Sequence, residues 1–302
     1  MSFIRSLYRN IVPQNFRQRL FDKRIKKQEQ KLIQELTTYF DSGKCSLPAH
    51  EVKEVSDYLK TKGLHVFPNS YSDKYFSMQI EVHHDSANGL HYVMHQGRKL
   101  YFKRNWSVEL IRSKYAFLLN EQDEQSPHCY LNKDFTIDAN SILADVGVAE
   151  GIFVLPVIDK IKHAYLFETD PEWLEALDAT FANHKDKVTV IHKFVANKDD
   201  DKHIRLDTFF KDKEVDFVKV DVDGAEQELL NGAVSLLKKE KNLKVAICTY
   251  HKQNDERDFT TLLRSYNFKT SVTPNFILFY IEGEFKPPYL RRGLIRAIKT
   301  CP

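Results

Sequence analysis

The sequence contains few cysteines, and none has the spacing of a metal site. Cys45, Cys129, Cys248 and Cys301 are spread over 302 residues without a CxxC pair. This argues against a disulfide scaffold or a zinc ribbon and favours a reducing compartment. No apolar run approaches the roughly 20 residues that cross a bilayer, and the N-terminus lacks the apolar core of a secretion signal. We therefore expect a cytoplasmic protein.

Net charge is also small, but it is unevenly distributed. The chain carries a net charge of +3, which gives no argument for nucleic-acid binding, and no interleaving of aromatic and basic residues supports it. Residues 1–31 contain nine basic and two acidic side chains, and residues 286–302 contain five basic and no acidic ones. The two ends are therefore basic and the part between them is acidic.

Hydrophobic periodicity divides the chain into three parts. Residues 1–121 predict helices, the second ending near Gly63, then a strand over 76–82 and a hairpin turn at Asn88-Gly89, whose returning strand spans 90–103. Ser107 is placed to cap a further helix. Residues 122–285 form the main domain. Residues 286–302 repeat apolar side chains every four positions, which predicts a basic amphipathic tail helix.

The main domain alternates short apolar strands with helical segments. We predict strands over 141–145, 164–168, 188–192, 215–221, 243–250 and 275–282, and helices over 151–161, 171–182, 224–239 and 256–266. This alternation predicts an α/β fold with a doubly wound, mostly parallel sheet. Such sheets bind ligands at the carboxyl ends of their strands.

A glycine-containing turn follows the first of these strands. Asp145, Gly147, Ala149 and Gly151 have a spacing typical of S-adenosylmethionine sites, whereas a dinucleotide fingerprint would place glycine at positions 149 and 152. Glu168 ends the second strand, where an acid can bind both ribose hydroxyls. Phe194, Val195 and Ala196 follow the third strand and suit an adenine ring or, equally, the core. A plain strand–helix turn is the alternative interpretation of the glycine spacing.

The fourth strand leads into an acidic turn. Asp221 ends the strand, and Asp223 and Glu226 follow at capping-box spacing, which gives those two acids a structural explanation. Together with DVGVAEG (145–151), LFETD (166–170) and LDTFF (206–210), the run VKVDVDGAEQELLNGA (218–233) resembles the FkbM family of S-adenosylmethionine-dependent methyltransferases. Val220 and Asp223 depart from the family's usual residues. The resemblance covers roughly residues 126–282.

The resemblance implies a class I methyltransferase fold (Rossmann-like), S-adenosylmethionine as the donor, and a hydroxyl acceptor on a sugar, glycan or secondary metabolite. Residues 1–121 lie outside the shared core, and we expect them to shape the acceptor site or cover the cleft. A methyltransferase-fold binding protein without turnover is one alternative function. A nucleotide-dependent oxidoreductase is another, disfavoured by Ile152.

Transfer to a hydroxyl requires a base. His251 follows the strand over 243–250, and its ordinary pKa suits this role. Asp221 is the rival base. Asp221, Asp223 and His251 are also candidates, with Glu226, for a divalent cation that would acidify the hydroxyl.

Two further features give weaker predictions. The loop containing Ser126, His128 and Tyr130 precedes the first sheet strand and supplies candidate donor or acceptor contacts, unless it is an ordinary linker turned by Pro127. The basic ends are typical of segments that lie on anionic membranes. Terminal helices docked on the protein body are the alternative.

Overall fold

The computed structural model describes residues 14–239, 242–280 and 285–300, with side chains from residue 24 onward. Within these ranges the α-helices are α1 (Gln14–Asp41), α2 (Ala49–Lys62), α3 (Asp73–Phe76), α4 (Val108–Glu121), α5 (Pro171–Thr180), α6 (Leu206–Phe209), α7 (Glu226–Asn231), α8 (Val234–Lys239) and α9 (Asp255–Ser265). The helix expected before Pro13 lies outside the described residues. No described helix combines the length and the apolar character needed to cross a membrane.

The strands are β1 (His83–Asp85), β2 (Leu90–His95), β3 (Arg98–Tyr101), β4 (Ile142–Val146), β5 (His163–Phe167), β6 (Val188–Ile191), β7 (Phe194–Val195), β8 (His203–Ile204), β9 (Phe217–Val220), β10 (Lys244–Cys248), β11 (Phe268–Val272), β12 (Ile277–Leu278), β13 (Leu290–Arg291) and β14 (Leu294–Lys299). The central sheet of the described chain has seven strands in the order β11-β14-β10-β9-β4-β5-β6.

The doubly wound, mostly parallel sheet predicted from the alternating pattern is confirmed. β10, β9, β4, β5 and β6 pair in parallel, and β14 is antiparallel to both of its neighbours. Every residue of β4 and β9 is buried, because helices and loops cover both faces of a parallel sheet. Strand order reverses at β4, whose neighbours are β5 and β9. The carboxyl ends of these three strands therefore form the expected ligand crevice.

Two helix predictions in this domain need correction. The helix predicted over 151–161 is a turn with a short 3-10 segment at Leu155–Val157, because Gly151 has a φ of 88° and Pro156 has no amide to donate. The helix predicted over 224–239 is divided into α7 and α8. Gly232, at the break, packs so closely that a Cβ would lie 2.0 Å from the carbonyl oxygen of Ala196.

The helix predicted at the end of the chain is wrong. The predicted tail helix over 286–302 is instead β13 and β14, and β14 is inserted between β10 and β11. Both faces of β14 pack in the core, so its apolar residues give no two-residue alternation. In the described part of the strand predicted over 275–282, residues 275–280, only β12 forms, and it pairs with β13 outside the main sheet. The basic residue Arg296 is 4% exposed and has no access to a membrane surface.

The N-terminal part packs on the sheet domain. The hairpin at Asn88-Gly89 is confirmed, but its first strand begins at His83, and a second turn at Gln96-Gly97 separates β2 from β3. Ser107 caps α4 by accepting a hydrogen bond from the amide of Leu110. A hydrophobic cluster joins α1 and α2 to three residues from the C-terminal part, Phe276, Leu278 and Leu290.

Candidate active site

A cavity of about 350 Å³ opens at the carboxyl ends of β4, β5 and β9. This volume lies at the lower end of the range for small-molecule sites. Four residues predicted to bind the donor line it: Gly147, Glu168, Val195 and Ala196. Phe194, which precedes the last two of these residues in the same predicted apolar run, is 55% exposed and also lines the cavity. The expected crevice therefore exists and holds most of the predicted donor residues.

The glycine turn forms one wall of this cavity by close backbone approach. Gly147 has a φ of 77°, and a Cβ at this position would lie 1.8 Å from the carbonyl oxygen of Asp221. Ala149 and Gly151 do not line the cavity and instead shape the turn, with φ values of 48° and 88°. A Cβ at Gly151 would lie 2.8 Å from the Phe181 ring. Glycine is thus required by backbone conformation and by space.

Asp145 does not line the cavity, in contrast to its predicted role as a direct donor contact. Its carboxylate is fully buried, and Oδ1 lies 2.9 Å from Nζ of Lys219. The same ammonium group donates to the carbonyl oxygen of Gly147 at 2.5 Å. Burial disfavours the charged lysine, but the neighbouring Asp145 outweighs it and raises the pKa of Lys219. This ion pair holds the glycine turn against β9. The sequence did not indicate the ion pair, because a single lysine within an apolar strand forms no recognisable motif.

Glu168 lies at the predicted place and is oriented by the backbone. Oε2 accepts a hydrogen bond from the amide of Ala149 at 3.0 Å, and Oε1 accepts from the amides of Thr169 and Asp170 at 2.7 and 2.8 Å. The carboxylate therefore links the turn after β4 to the turn after β5 at the cavity wall. Asp170 itself caps α5 by accepting a hydrogen bond from the amide of Glu172.

Asp221 is held by several donors at the end of β9. Oδ2 accepts a hydrogen bond from the hydroxyl of Tyr130 at 2.9 Å and lies 3.4 Å from Nε2 of His128, and Oδ1 accepts from the hydroxyl of Tyr250 at 3.4 Å. Burial alone would raise the pKa of Asp221, but His128 and Lys219 overcome it and hold the pKa far below its usual range. An anion stabilised in this way is a weak proton acceptor.

His251 forms an ion pair with Glu226 next to this carboxylate. Its Nδ1 lies 2.8 Å from Oε1 of Glu226, and its Nε2 lies 3.6 Å from Oδ1 of Asp223. Burial alone would lower the pKa of His251. The neighbouring Asp223 and Glu226 outweigh this effect and raise the pKa to about 10. The ring is therefore an imidazolium at neutral pH. In this arrangement it can orient or stabilise an anion, but it has no free site for the base role predicted for it.

The capping box predicted for Asp223 and Glu226 does not form. α7 begins at Glu226 without a side-chain cap, and the Asp223 side chain is 97% exposed on a residue with a φ of 48°. Glu226 turns inward and accepts long hydrogen bonds from the amides of Val222 and Gly224 at 3.3 and 3.4 Å. The turn is thus held by Glu226 and not by Asp223.

The acidic cluster has geometry compatible with a cation but does not require one. Ligand atoms of Asp221, Glu226 and His251 lie within 4.8 Å of one another, as do those of His128, Asp221 and Cys248. Asp223, a predicted ligand, belongs to neither group. In each group the carboxylates already face a histidine that favours its charged form. The ion pairs account for the clustering, so the cation hypothesis has no independent support.

A second cavity, of about 310 Å³, lies on the other side of this turn. Both parts of the chain line this cavity. The N-terminal part contributes Val66, Phe67, Lys114, Phe117 and Glu121, and the sheet domain contributes His128, Asp223, Tyr250, His251, Ile277 and Phe279. Asp223 lines both cavities. The three residues predicted in the loop before β4 have different roles. His128 lines the second cavity, and Tyr130 donates a hydrogen bond to Asp221. Ser126 is buried and accepts a hydrogen bond from the amide of His128.

Glu121 and Tyr250 are polar residues of the second cavity that the sequence did not indicate. Glu121 is the last residue of α4 and lies at the predicted boundary between the N-terminal part and the main domain. Tyr250 directly precedes His251 after β10, and that position could have indicated it.

Comparison with known proteins agrees with this architecture. Residues 187–270 match the family described as the methyltransferase FkbM domain. The resemblance to the FkbM methyltransferases is confirmed over this segment. The matched segment includes β9, the acidic turn, β10 and His251. No curated protein sequence matches the chain.

Three solved structures are each similar to part of this chain. The methyltransferase FkbM of Methylobacillus flagellatus KT is 16% identical, with a TM-score of 0.45, covering 64% of this chain and 60% of its own. The protein SMU.1697c of Streptococcus mutans, solved with SAH, is 15% identical, with a TM-score of 0.36 and coverages of 54% and 90%. The fibrillarin pre-rRNA processing protein of Methanococcus jannaschii is 14% identical, with a TM-score of 0.41 and coverages of 74% and 99%. This chain thus spans about three fifths of the Methylobacillus protein.

Proposed function

We propose that this protein transfers a methyl group from S-adenosylmethionine to a hydroxyl group of a sugar, glycan or similar hydroxylated metabolite. The observation that carries the proposal is the pair of cavities that meet at Asp223. A donor in the first cavity and an acceptor in the second would approach each other across the Asp221 turn. Holding two reactants in line supplies much of the acceleration of a displacement reaction.

The first cavity suits an adenosyl ligand. Glu168 offers a carboxylate fixed by three amides, appropriate for ribose hydroxyls. Phe194, Val195 and Ala196 form an apolar wall against which an adenine ring can pack. The tight backbone at Gly147 leaves room for a ligand next to β4.

The second cavity combines aromatic walls with polar groups. Phe67, Phe117 and Phe279 line it together with Tyr250, and Glu121, His128 and His251 supply hydrogen-bonding groups. Such a mixture suits a ligand with an apolar face and several hydroxyl groups. This composition supports a sugar-like acceptor, and it gives the N-terminal part the role of shaping the acceptor site.

Isothermal titration calorimetry with S-adenosylmethionine and S-adenosylhomocysteine tests donor binding. We expect both to bind, and Glu168→Ala to weaken both by about tenfold or more, since lost hydrogen bonds to a charged group cost about 1.5–3 kcal/mol. Glu172→Ala is the matched control: it removes an exposed acid from the same region, and we expect it to bind like the wild type.

Turnover is then measured as S-adenosylhomocysteine formation with a panel of methyl glycosides. Donor binding without turnover on any glycoside would favour a silent binding protein over a sugar methyltransferase. Binding of NADH in place of the adenosyl ligands would favour an oxidoreductase.

A further inference from the structure

Several groups in the second cavity and in the adjoining turn at Asp221, which lines the first cavity, could accept a proton, and most already have partners. Asp221 accepts hydrogen bonds from two tyrosine hydroxyls, Tyr130 and Tyr250, and faces His128. His251 is paired with Glu226. Asp223 is exposed at the boundary of the cavities and faces His251 at 3.6 Å. None of these is a carboxylate with free acceptor capacity inside the cavity.

Glu121 differs from them in having no such partner. It lies at the end of α4, and its side chain lines the cavity beside His128 and His251. Among residues 24–239, 242–280 and 285–300, no side chain forms a salt bridge or a hydrogen bond with its carboxylate, and His128 interacts with it only electrostatically. An unpaired acid directed into an otherwise paired site is a candidate for a chemical role.

The electrostatic surroundings place Glu121 near the middle of its titration at neutral pH. Burial is the main cause that raises the pKa of Glu121 to about 7, and the anion Asp221 also raises it. The cations His128, Lys219 and Lys114 act in the opposite direction and lower the pKa. Glu150, itself a buried acid with a pKa of about 7, interacts with it. Tyr130 and Tyr250 also face it. A base of this strength can take a proton in the reaction and release it afterwards.

We infer that Glu121 is the residue that accepts the proton of the acceptor hydroxyl. This role rests on the proposed function. The carboxylate takes the hydroxyl proton as the oxygen forms a bond to the methyl carbon of a sulfonium donor. The carbon–sulfur bond breaks, its electron pair stays on sulfur, and a neutral thioether leaves. Glu121 ends as a carboxylic acid and returns the proton to solvent, so charge and atoms balance.

The test compares two ligands that differ by one positive charge. S-adenosylmethionine carries a sulfonium and S-adenosylhomocysteine a neutral thioether. A cation presented toward Glu121 favours its ionised form, so the sulfonium ligand should release more protons on binding. Calorimetry in buffers of different ionisation enthalpy measures the released protons. At pH 7 we expect the two ligands to differ by up to about half a proton, because a group with this pKa is about half protonated there. At pH 5 and pH 9 the difference should shrink.

Variants assign the proton to one residue. Glu121→Gln should abolish the difference between the ligands, and Glu124→Gln, an exposed acid in the following loop, should retain it. Loss of the difference in Glu150→Gln but not in Glu121→Gln would assign the proton to the glycine turn and overturn the proposal. In turnover on a glycoside accepted by the wild type, Glu121→Gln should lower kcat by about 10²–10⁴-fold and remove the rise in rate near pH 7.

The outcomes separate this inference from the proposed function. Failure of both ligands to bind would remove the proposed function and this role with it. Binding of both with an unchanged difference in Glu121→Gln, or an unchanged kcat, would remove only the role of Glu121.

Discussion

At the scale of single residues, conformation and charge decide what each group in the site can do. Gly147 is needed for its backbone, Glu168 for a carboxylate fixed by amides, and Asp221 for an anion that stays charged. The sequence identified these three positions because each follows directly after a strand. It did not reveal that Asp221 and His251 are both held in charged forms, because their partners come from other elements.

The turn after β4 gives a test at this scale. Gly147→Ala adds a Cβ that would lie 1.8 Å from the Asp221 carbonyl oxygen. We expect a loss of about 3 kcal/mol or more of unfolding free energy, since left-handed backbone costs an L-residue about 1–2 kcal/mol and the clash adds to it. Urea denaturation followed by circular dichroism measures the loss.

Gly97→Ala is the control for conformation alone. Gly97 has a φ of 82° and no atom within 4 Å of an added Cβ. Its alanine variant should lose only about 1–2 kcal/mol. Equal losses in the two variants would mean that the contact between the turn and β9 has no role in stability.

At the scale of elements, local patterns predicted the strands that lead into the site but not the end of the chain. β4, β5, β6, β9 and β10 were all predicted within a few residues, because parallel strands are short apolar runs separated by helices. β14 was mistaken for a helix, since its leucine and isoleucine spacing fits a helix and its true environment depends on β10 and β11, which lie far away in sequence. The two-residue strands β7, β8 and β13 are too short to carry a detectable pattern.

Arg296 links this unexpected strand to the active-site loop. Its Nε donates to the carbonyl oxygen of Tyr130 at 3.0 Å, and its Nη2 donates to that of Cys129 at 2.6 Å. Arg296→Ala should lose about 2–4 kcal/mol of unfolding free energy, because buried carbonyl groups would lose their donors. Chemical denaturation measures this loss.

The neighbouring strand supplies the matched control. Lys269 on β11 is exposed, and Lys269→Ala should stay within about 0.5 kcal/mol of the wild type. A loss below about 1 kcal/mol in Arg296→Ala would contradict the proposed link between β14 and the loop.

At the scale of the whole molecule, the two cavities divide the work between the sheet domain and the N-terminal part. The donor cavity is lined by residues 146–228 alone, whereas the second cavity is lined from both parts. The sequence indicated His128, Asp223 and His251 of the second cavity but not the cavity itself, because it arises from packing between distant segments. The family match over residues 187–270 likewise leaves the N-terminal part outside it.

A pair of phenylalanine variants tests this division. Phe194→Ala should weaken S-adenosylmethionine binding by about tenfold, because a stacked aromatic contributes about 0.5–1.5 kcal/mol beyond its buried area. Phe117→Ala, which changes the second cavity, should leave the donor Kd within about twofold and reduce turnover with a glycoside acceptor. Calorimetry and S-adenosylhomocysteine formation measure the two effects. A donor Kd raised equally by both variants would contradict the division.

The position of β14 also has a consequence for synthesis on the ribosome. β10 and β11 are made before β14, yet each pairs with β14 and not with the other. Until residue 299 has left the exit tunnel, the nascent sheet ends at β10 with an unpaired apolar edge, which is a site for aggregation. The last part of the sheet therefore assembles only after β14 has emerged, and nascent chains stalled before residue 294 should remain sensitive to protease.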